Sequence, residues 1–177
     1  MLTYAGGSLV SGRVSQIEAS RRLGRDMIAV TRNPDLAEGD LVGRLEVPRL
    51  HISVMVLHGT EDRTLVAGAG HVPGTPSPGG DGNVVIAAHR DTFFRTLERV
   101  VPGDRIQIDT AIWHHEYIVE STEVVDPNET RVMESRGRRE LTLITCYPFY
   151  FVGPAPRRFV VHARPLEDET VVRIAVN

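Results

Sequence analysis

From residue 41 onward, apolar positions come in short runs, each closed by turn residues before a helix has room to form. "LVGRLEVPRL" (41–50), "ISVMVLHG" (52–59) and "NVVIAAHRD" (83–91) are followed by "DRIQIDT" (104–110) and "HHEYIVESTEVV" (114–125). "ELTLITC" (140–146), "RRFVVHARP" (157–165) and "TVVRIAV" (170–176) complete the series. Short strands punctuated by Gly and Pro predict an all-β dominated fold, a closed barrel or a sandwich. The first run ends at Pro48, which cannot donate to a ladder. Residues 9–30 behave differently. Val14, Ile17, Leu23, Met27 and Ile28 are spaced for one face of a helix, interrupted at Gly24. "TRNPDLAEGD" (31–40) then reads as a linker, dividing the chain into a helix and linker over 1–40 and a barrel over 41–177. "DTFFRTLERV" (91–100) predicts a short helix capped by Asp91 or Thr92.

Composition narrows the function classes. With 41% hydrophobic and 24% charged residues over 177 positions, the chain can bury a core without covalent staples. A net charge of -3 gives it no general attraction to nucleic acid. The single cysteine excludes an internal disulfide and any multi-cysteine metal site. His114 and His115 are neighbours in a strand-like run, point to opposite faces and cannot share a metal. There is no Asp-x-Asp-x-Asp calcium loop, so neither a metal nor a cofactor is expected. No stretch reaches the roughly 20 apolar residues of a membrane-spanning helix.

Three polar residues stand at strand ends: His89 after "VVIAA", Cys146 after "LTLIT", and Arg157 or Arg158 before "FVV". If those strands are neighbours, a nucleophilic thiol, a proton-transferring imidazole and an oxyanion-stabilising guanidinium meet on one rim. That is the equipment of a cysteine acyl transferase. Each residue also has a plainer reading: a lone cysteine is often a small core hydrophobe, and an arginine a surface charge. Alternation puts Arg157 with Phe159 and Val161, and Arg158 with Val160 and His162, without saying which face is the cleft. "HVPGTPSPGGDGN" (71–83), with three prolines and four glycines, is a long loop of the kind that often contacts a ligand.

"TLITCYPF", followed by "APRRFVVHA" and preceded by "NVVIAAHRDTFF", resembles the sortases, and "TCYPF" and "HRDTFF" resemble class D most. The likeness runs from about Gly43 to Pro165 and takes in "GRLEVPRL", "GTEDRTLVAGAGHVPGT" and "STEVVDP". The resemblance implies a closed barrel of about eight strands. It also implies a cysteine transpeptidase that cuts a C-terminal sorting motif after threonine through a thioacyl-enzyme. The implied partners are secreted proteins bearing that motif and an amine acceptor, from peptidoglycan or a pilin lysine. By position, Cys146 is the nucleophile, His89 the acid and base, and Arg158 the oxyanion and substrate arginine. Thr145, His71 and Tyr147 are implied substrate contacts, with the 71–83 loop and the Tyr147–Pro156 connection walling the groove. Members of this type carry one membrane helix near the N-terminus. The resemblance therefore implies an extracytoplasmic, membrane-anchored full-length protein, with Met1 standing where a span was removed. Two other readings compete. An L,D-transpeptidase would place its thiol after Ser-x-Gly, and here the thiol follows "LIT". A non-catalytic, peptide-binding barrel would keep His89 and Arg158 remote from Cys146 or bury the thiol.

Overall fold

A computed structural model describes residues 36–166 apart from Ile112. The helix expected over 9–30 and the strand expected over 170–176 lie outside the described residues. Eight strands form one closed barrel: β1 (Leu41–Val47), β2 (Ile52–His58), β3 (Ala69–His71), β4 (Asn83–Ala87), β5 (Arg105–Asp109), β6 (His114–Val125), β7 (Glu140–Tyr147) and β8 (Arg157–Pro165). Around the barrel the order is β1-β2-β3-β4-β7-β8-β6-β5, and β5 pairs back onto β1. Of the two architectures the pattern allowed, the barrel is the one formed, and it leaves no open sheet edge. At the closure, a side chain on Gly43 of β1 would run into the Asp109 carbonyl of β5, so glycine alone permits that approach.

Alternation decides which residues fill the interior. Leu45 and Val47, Val54 and Val56, Val84 and Ile86, Ile106 and Ile108, Leu141 and Leu143, and Val161 and Ala163 converge in one core with Phe94 and Leu97. Two pairings are parallel, β2 with β3 and β4 with β7. The second matters most for chemistry, because it brings the C-terminal ends of β4 and β7 to the same rim. β8 runs antiparallel to β7 and starts there.

Helical structure is slight. The six-residue α1 (Asp62–Ala67) was not expected from the sequence, and 3-10 turns cover Pro48–Leu50, Arg95–Arg99 and Thr130–Met133. The helix predicted over 91–100 is a run of turns ending in the Arg95–Arg99 3-10 segment, entered at Phe94 without a side-chain cap. Phe94 and Leu97 both point into the core, and this three-residue spacing suits a 3-10 turn packed across the barrel end. The turn is buttressed by Arg49, whose guanidinium makes a forked pair with the buried Asp104 carboxylate and also reaches the Arg99 carbonyl at 2.6 Å. That pairing holds the Asp104 carboxyl below its ordinary range. Among the described residues no helix is long and apolar enough to cross a membrane.

Candidate active site

The rim is built from the ends of three adjacent strands. Cys146 of β7 lies directly opposite Arg158 of β8. Residues opposite one another in an antiparallel pair present their side chains to the same face. Arg157 instead opposes Tyr147, so its side chain belongs to the other face. The choice between the two arginines, open in the sequence, is thereby resolved as geometry: Arg158 shares a face with the thiol.

His89 arrives through the parallel pair. The β4–β7 register matches Ala87 with Ile144, and the ladder continues one residue past the strand, with the Ala88 N–H donating to the Ile144 carbonyl at 3.1 Å. His89 is the next residue, and it follows β4 at the same rim where β7 carries Cys146. The Ala88 carbonyl is held too, by the Thr145 hydroxyl at 2.7 Å. His89 therefore leaves β7 one peptide beyond a doubly anchored residue. Cys146 and His89 are both half-buried, which leaves each reachable from outside. β7 itself runs one residue beyond the thiol, to Tyr147.

Below this row the outer face turns apolar. Ala87, Ile144 and Val160 are in register across β4, β7 and β8 and form the floor beneath the thiol. One further step along, His162 is buried and pairs with Glu123 of β6 at 2.7 Å, while Arg136 reaches its other nitrogen at 3.4 Å. Arg131 donates to Glu123 at 3.0 Å, and this bond, with help from His162, keeps the Glu123 carboxyl below its usual range. The segment joining β6 to β7 closes this end: the Asn83 amide donates to the Val132 carbonyl at 3.1 Å and accepts from Thr142 at 2.8 Å.

Three residues expected to touch substrate are placed elsewhere. Thr145 is buried and its hydroxyl is spent on the Ala88 carbonyl, so it fixes the site rather than facing a ligand. Tyr147 lies on the face opposite Cys146, where its ring stacks 6.3 Å from Phe159 and meets Phe149 edge-on at 6.1 Å. His71 ends β3 and is 2% exposed, against His58 (3.1 Å) and the Pro76 carbonyl (2.9 Å). Its partner in β4 is the inward-facing Ile86, so it stands on the inner side of the wall whose outer side carries the thiol row. Nor does the 71–83 loop border the thiol. It docks at the other end of β4, where the Gly79 N–H meets the Tyr117 hydroxyl at 3.1 Å and Arg139 reaches the Gly79 carbonyl at 2.7 Å. His162, on the same face as Arg158 by alternation, is buried, with Glu123 and Arg136 as its side-chain partners.

The Tyr147–Pro156 connection does border the site. Arg90, unremarked in the sequence, donates to the carbonyls of Pro148 (2.8 Å), Phe151 (2.7 Å) and Gly153 (3.1 Å). Its partners are main-chain groups far along the chain, and nothing in the sequence marks them. Tyr150, Phe151 and Val152 of the same loop are exposed.

The family model described as Sortase domain matches residues 45–166, which contain the whole thiol rim. The chain belongs to the sortase family. This sortase is 32% identical over 127 residues to Sortase D of Bacillus subtilis (strain 168), covering 71% of the chain and 64% of that protein. It is 28% identical over 138 residues to Sortase A of Bacillus anthracis, covering 76% of the chain and 64% of the relative. The chain thus spans slightly less than two thirds of the length of these curated relatives. Among solved structures, the Clostridium perfringens Sortase D5 transpeptidase superposes with a TM-score of 0.73 at 21% identity, over 89% of this chain and 99% of that one. Sortase C-1 from Actinomyces oris superposes with a TM-score of 0.67 at 27% identity, over 86% and 85% of the two chains. The expected class D likeness is matched by the Sortase D relative, and the expected eight-strand closed barrel by the fold. Chemically, the rim holds a thiol, an imidazole and a guanidinium, groups able in general to act as nucleophile, proton carrier and oxyanion partner.

Proposed function

We propose that this chain is the catalytic barrel of a cysteine transpeptidase that cleaves a C-terminal Leu-Pro-x-Thr-Gly-like sorting motif after threonine. The Cys146 sulfur attacks the threonine carbonyl carbon, and the oxyanion that forms is met by Arg158. His89 passes a proton to the departing amine, leaving a thioester on Cys146. An amine acceptor then attacks that carbonyl, gives its proton back through His89 and releases the thiolate. The observation that carries this reading is the Cys146–Arg158 pair with His89 one peptide beyond the anchored Ala88. Arg158 supports the oxyanion role because only its Nη1 is engaged within the described protein, by the carbonyls of Ala155 (3.3 Å) and Arg157 (3.0 Å). The rest of its fork is left for a ligand.

The half-buried Ala87 and Ile144 beside the thiol suit the leucine–proline side of such a motif. Substrates on this reading are secreted proteins bearing the motif, and acceptors are peptidoglycan amines or a pilin lysine. The family resemblance supports an extracytoplasmic, membrane-tethered setting for the full-length protein. The test is incubation with fluorogenic Leu-Pro-x-Thr-Gly and -Ala peptides, with and without an amine. Cleavage after threonine that is absent in Cys146→Ala supports the proposal. A thiol that alkylates readily while every peptide survives refutes the proposed substrate, and an inert thiol favours a binding barrel.

A further inference from the structure

We propose that Arg90 is a positioning residue that sets the separation of His89 and Cys146 by clamping the loop after the thiol to the segment after the imidazole; this rests on the Cys–His chemistry proposed above. Arg90 follows His89 directly. Its guanidinium gathers three carbonyls of the β7–β8 connection, those of Pro148, Phe151 and Gly153, at 2.7–3.1 Å. Pro148 is two residues past Cys146. The guanidinium carbon also sits 5.8 Å from the Phe151 ring centre. Its hydrogen-bond acceptors among the described residues are all main-chain oxygens, so the fork is used for shape and not to neutralise a carboxylate.

A second tie runs parallel to the first. Tyr150 donates its hydroxyl to Glu98 at 2.7 Å and receives Arg95 over its ring at 4.5 Å. The chain leaving β4 and the chain leaving β7 are thus stitched together on the solvent side of the rim. On the barrel side, the Ala88–Ile144 and Thr145–Ala88 bonds do the same. His89 and Cys146 lie between these two sets of bonds. Releasing the outer set leaves His89 held by Ala88 before it and by the Phe94 N–H on its own carbonyl (3.2 Å), with no tie to the loop that follows the sulfur. Lysine cannot replace this clamp, because an ammonium is a point charge without the planar fork that reaches several carbonyls.

The experiment compares wild type, Arg90→Ala, Arg90→Lys and His89→Ala in peptide cleavage and in alkylation of Cys146 by iodoacetamide at neutral pH. Arg90→Ala should lower kcat by about 10- to 100-fold with KM within about twofold, as expected when reacting groups are misplaced but the groove is intact. Its alkylation rate should move toward that of His89→Ala, Arg90→Lys should recover little, and millimolar ethylguanidinium should restore part of kcat in Arg90→Ala. Restoration by a small soluble cation separates a lost clamp from a misfolded chain. Arg90→Ala with wild-type kcat, a loss confined to KM, or full recovery in Arg90→Lys overturns the proposal. Because alkylation needs no peptide, a wild type that cuts no sorting motif counts against the proposed function, while the clamp is still judged on the thiol.

Discussion

Thr145 shows how a side chain beside a nucleophile can act without facing the ligand. Its hydroxyl is buried on the Ala88 carbonyl, and the valine side chain has the same shape without the donor. Thr145→Val should therefore leave a buried carbonyl unsatisfied and cost about 1–3 kcal/mol in urea unfolding. It should lower kcat more than it raises KM, since the bond fixes the residue before His89. The two arginines make a sharper pair. Arg158→Ala should reduce kcat/KM by about 10²–10³-fold, the usual loss on removing an oxyanion donor, while Arg157→Ala stays within about threefold. Equal losses at both positions would contradict the facing inferred from register. At this scale Cys146 and His89 were legible because unusual residue types end apolar runs. Arg158 could be chosen over Arg157 only by likeness, since alternation names two faces and not the one that holds the cleft. Arg90 was illegible because its acceptors are peptide carbonyls, which every residue possesses.

Among the elements, β7 carries the most weight. It pairs with β4 on one side and β8 on the other, and so ties together the supports of the imidazole, the thiol and the guanidinium. Leu143 sits at its centre, fully buried against Ile86 and Val161 in its neighbouring strands. Leu143→Ala should cost about 2–5 kcal/mol, read from the urea midpoint, by removing contacts and leaving a cavity. The long strands were visible from their alternating or continuous apolar runs. β3 was not, because "AGH" has two small residues and only three positions. A parallel pairing on one side and an antiparallel one on the other give it its structure, and such partners leave no local signal. The missing helix over 91–100 has a related cause: Phe93 and Phe94 suit burial at a barrel end as well as they suit a helix face.

For the whole molecule, the histidine pair on the inner side of the wall makes stability depend on acidity. His71 is held below its ordinary pKa of 6.5, first by burial and then by the nearby His58, against the opposing pull of the Pro76 carbonyl. Its Nε2 faces that carbonyl and must carry the proton, so the neutral ring accepts at Nδ1 from His58. A second proton on His71 would remove the lone pair that accepts from His58. The unfolded chain takes up that proton near pH 6.5, while the folded chain resists until a lower pH. The contribution of His71 to stability is therefore full above about pH 6.5 and falls as the pH drops toward the folded value, at up to about 1.4 kcal/mol per unit, while His114, raised by Asp109 and Glu116, acts in the opposite sense. His71→Gln should flatten that slope between about pH 7 and pH 5 in chemical denaturation followed by tryptophan fluorescence. An unchanged slope would assign the acid sensitivity elsewhere. None of this was readable in "HVPGTPSPGGDGN", where glycine and proline suggest exposure and the burying partner lies on β2.

The parallel pairing of β4 with β7 has a consequence for how the molecule comes into being. Two strands that run the same way cannot be joined by a tight turn, so β5, β6 and the 126–139 segment are all spelled out between the imidazole and the thiol. The arginine comes later still, on the last described strand. A chain emerging from its N-terminus holds a histidine without a nucleophile, then a nucleophile without its cation. Only when β8 has slotted between β6 and β7 are all three on one rim. On the proposed chemistry, turnover then waits for β8, and its onset reports the arrival of that strand.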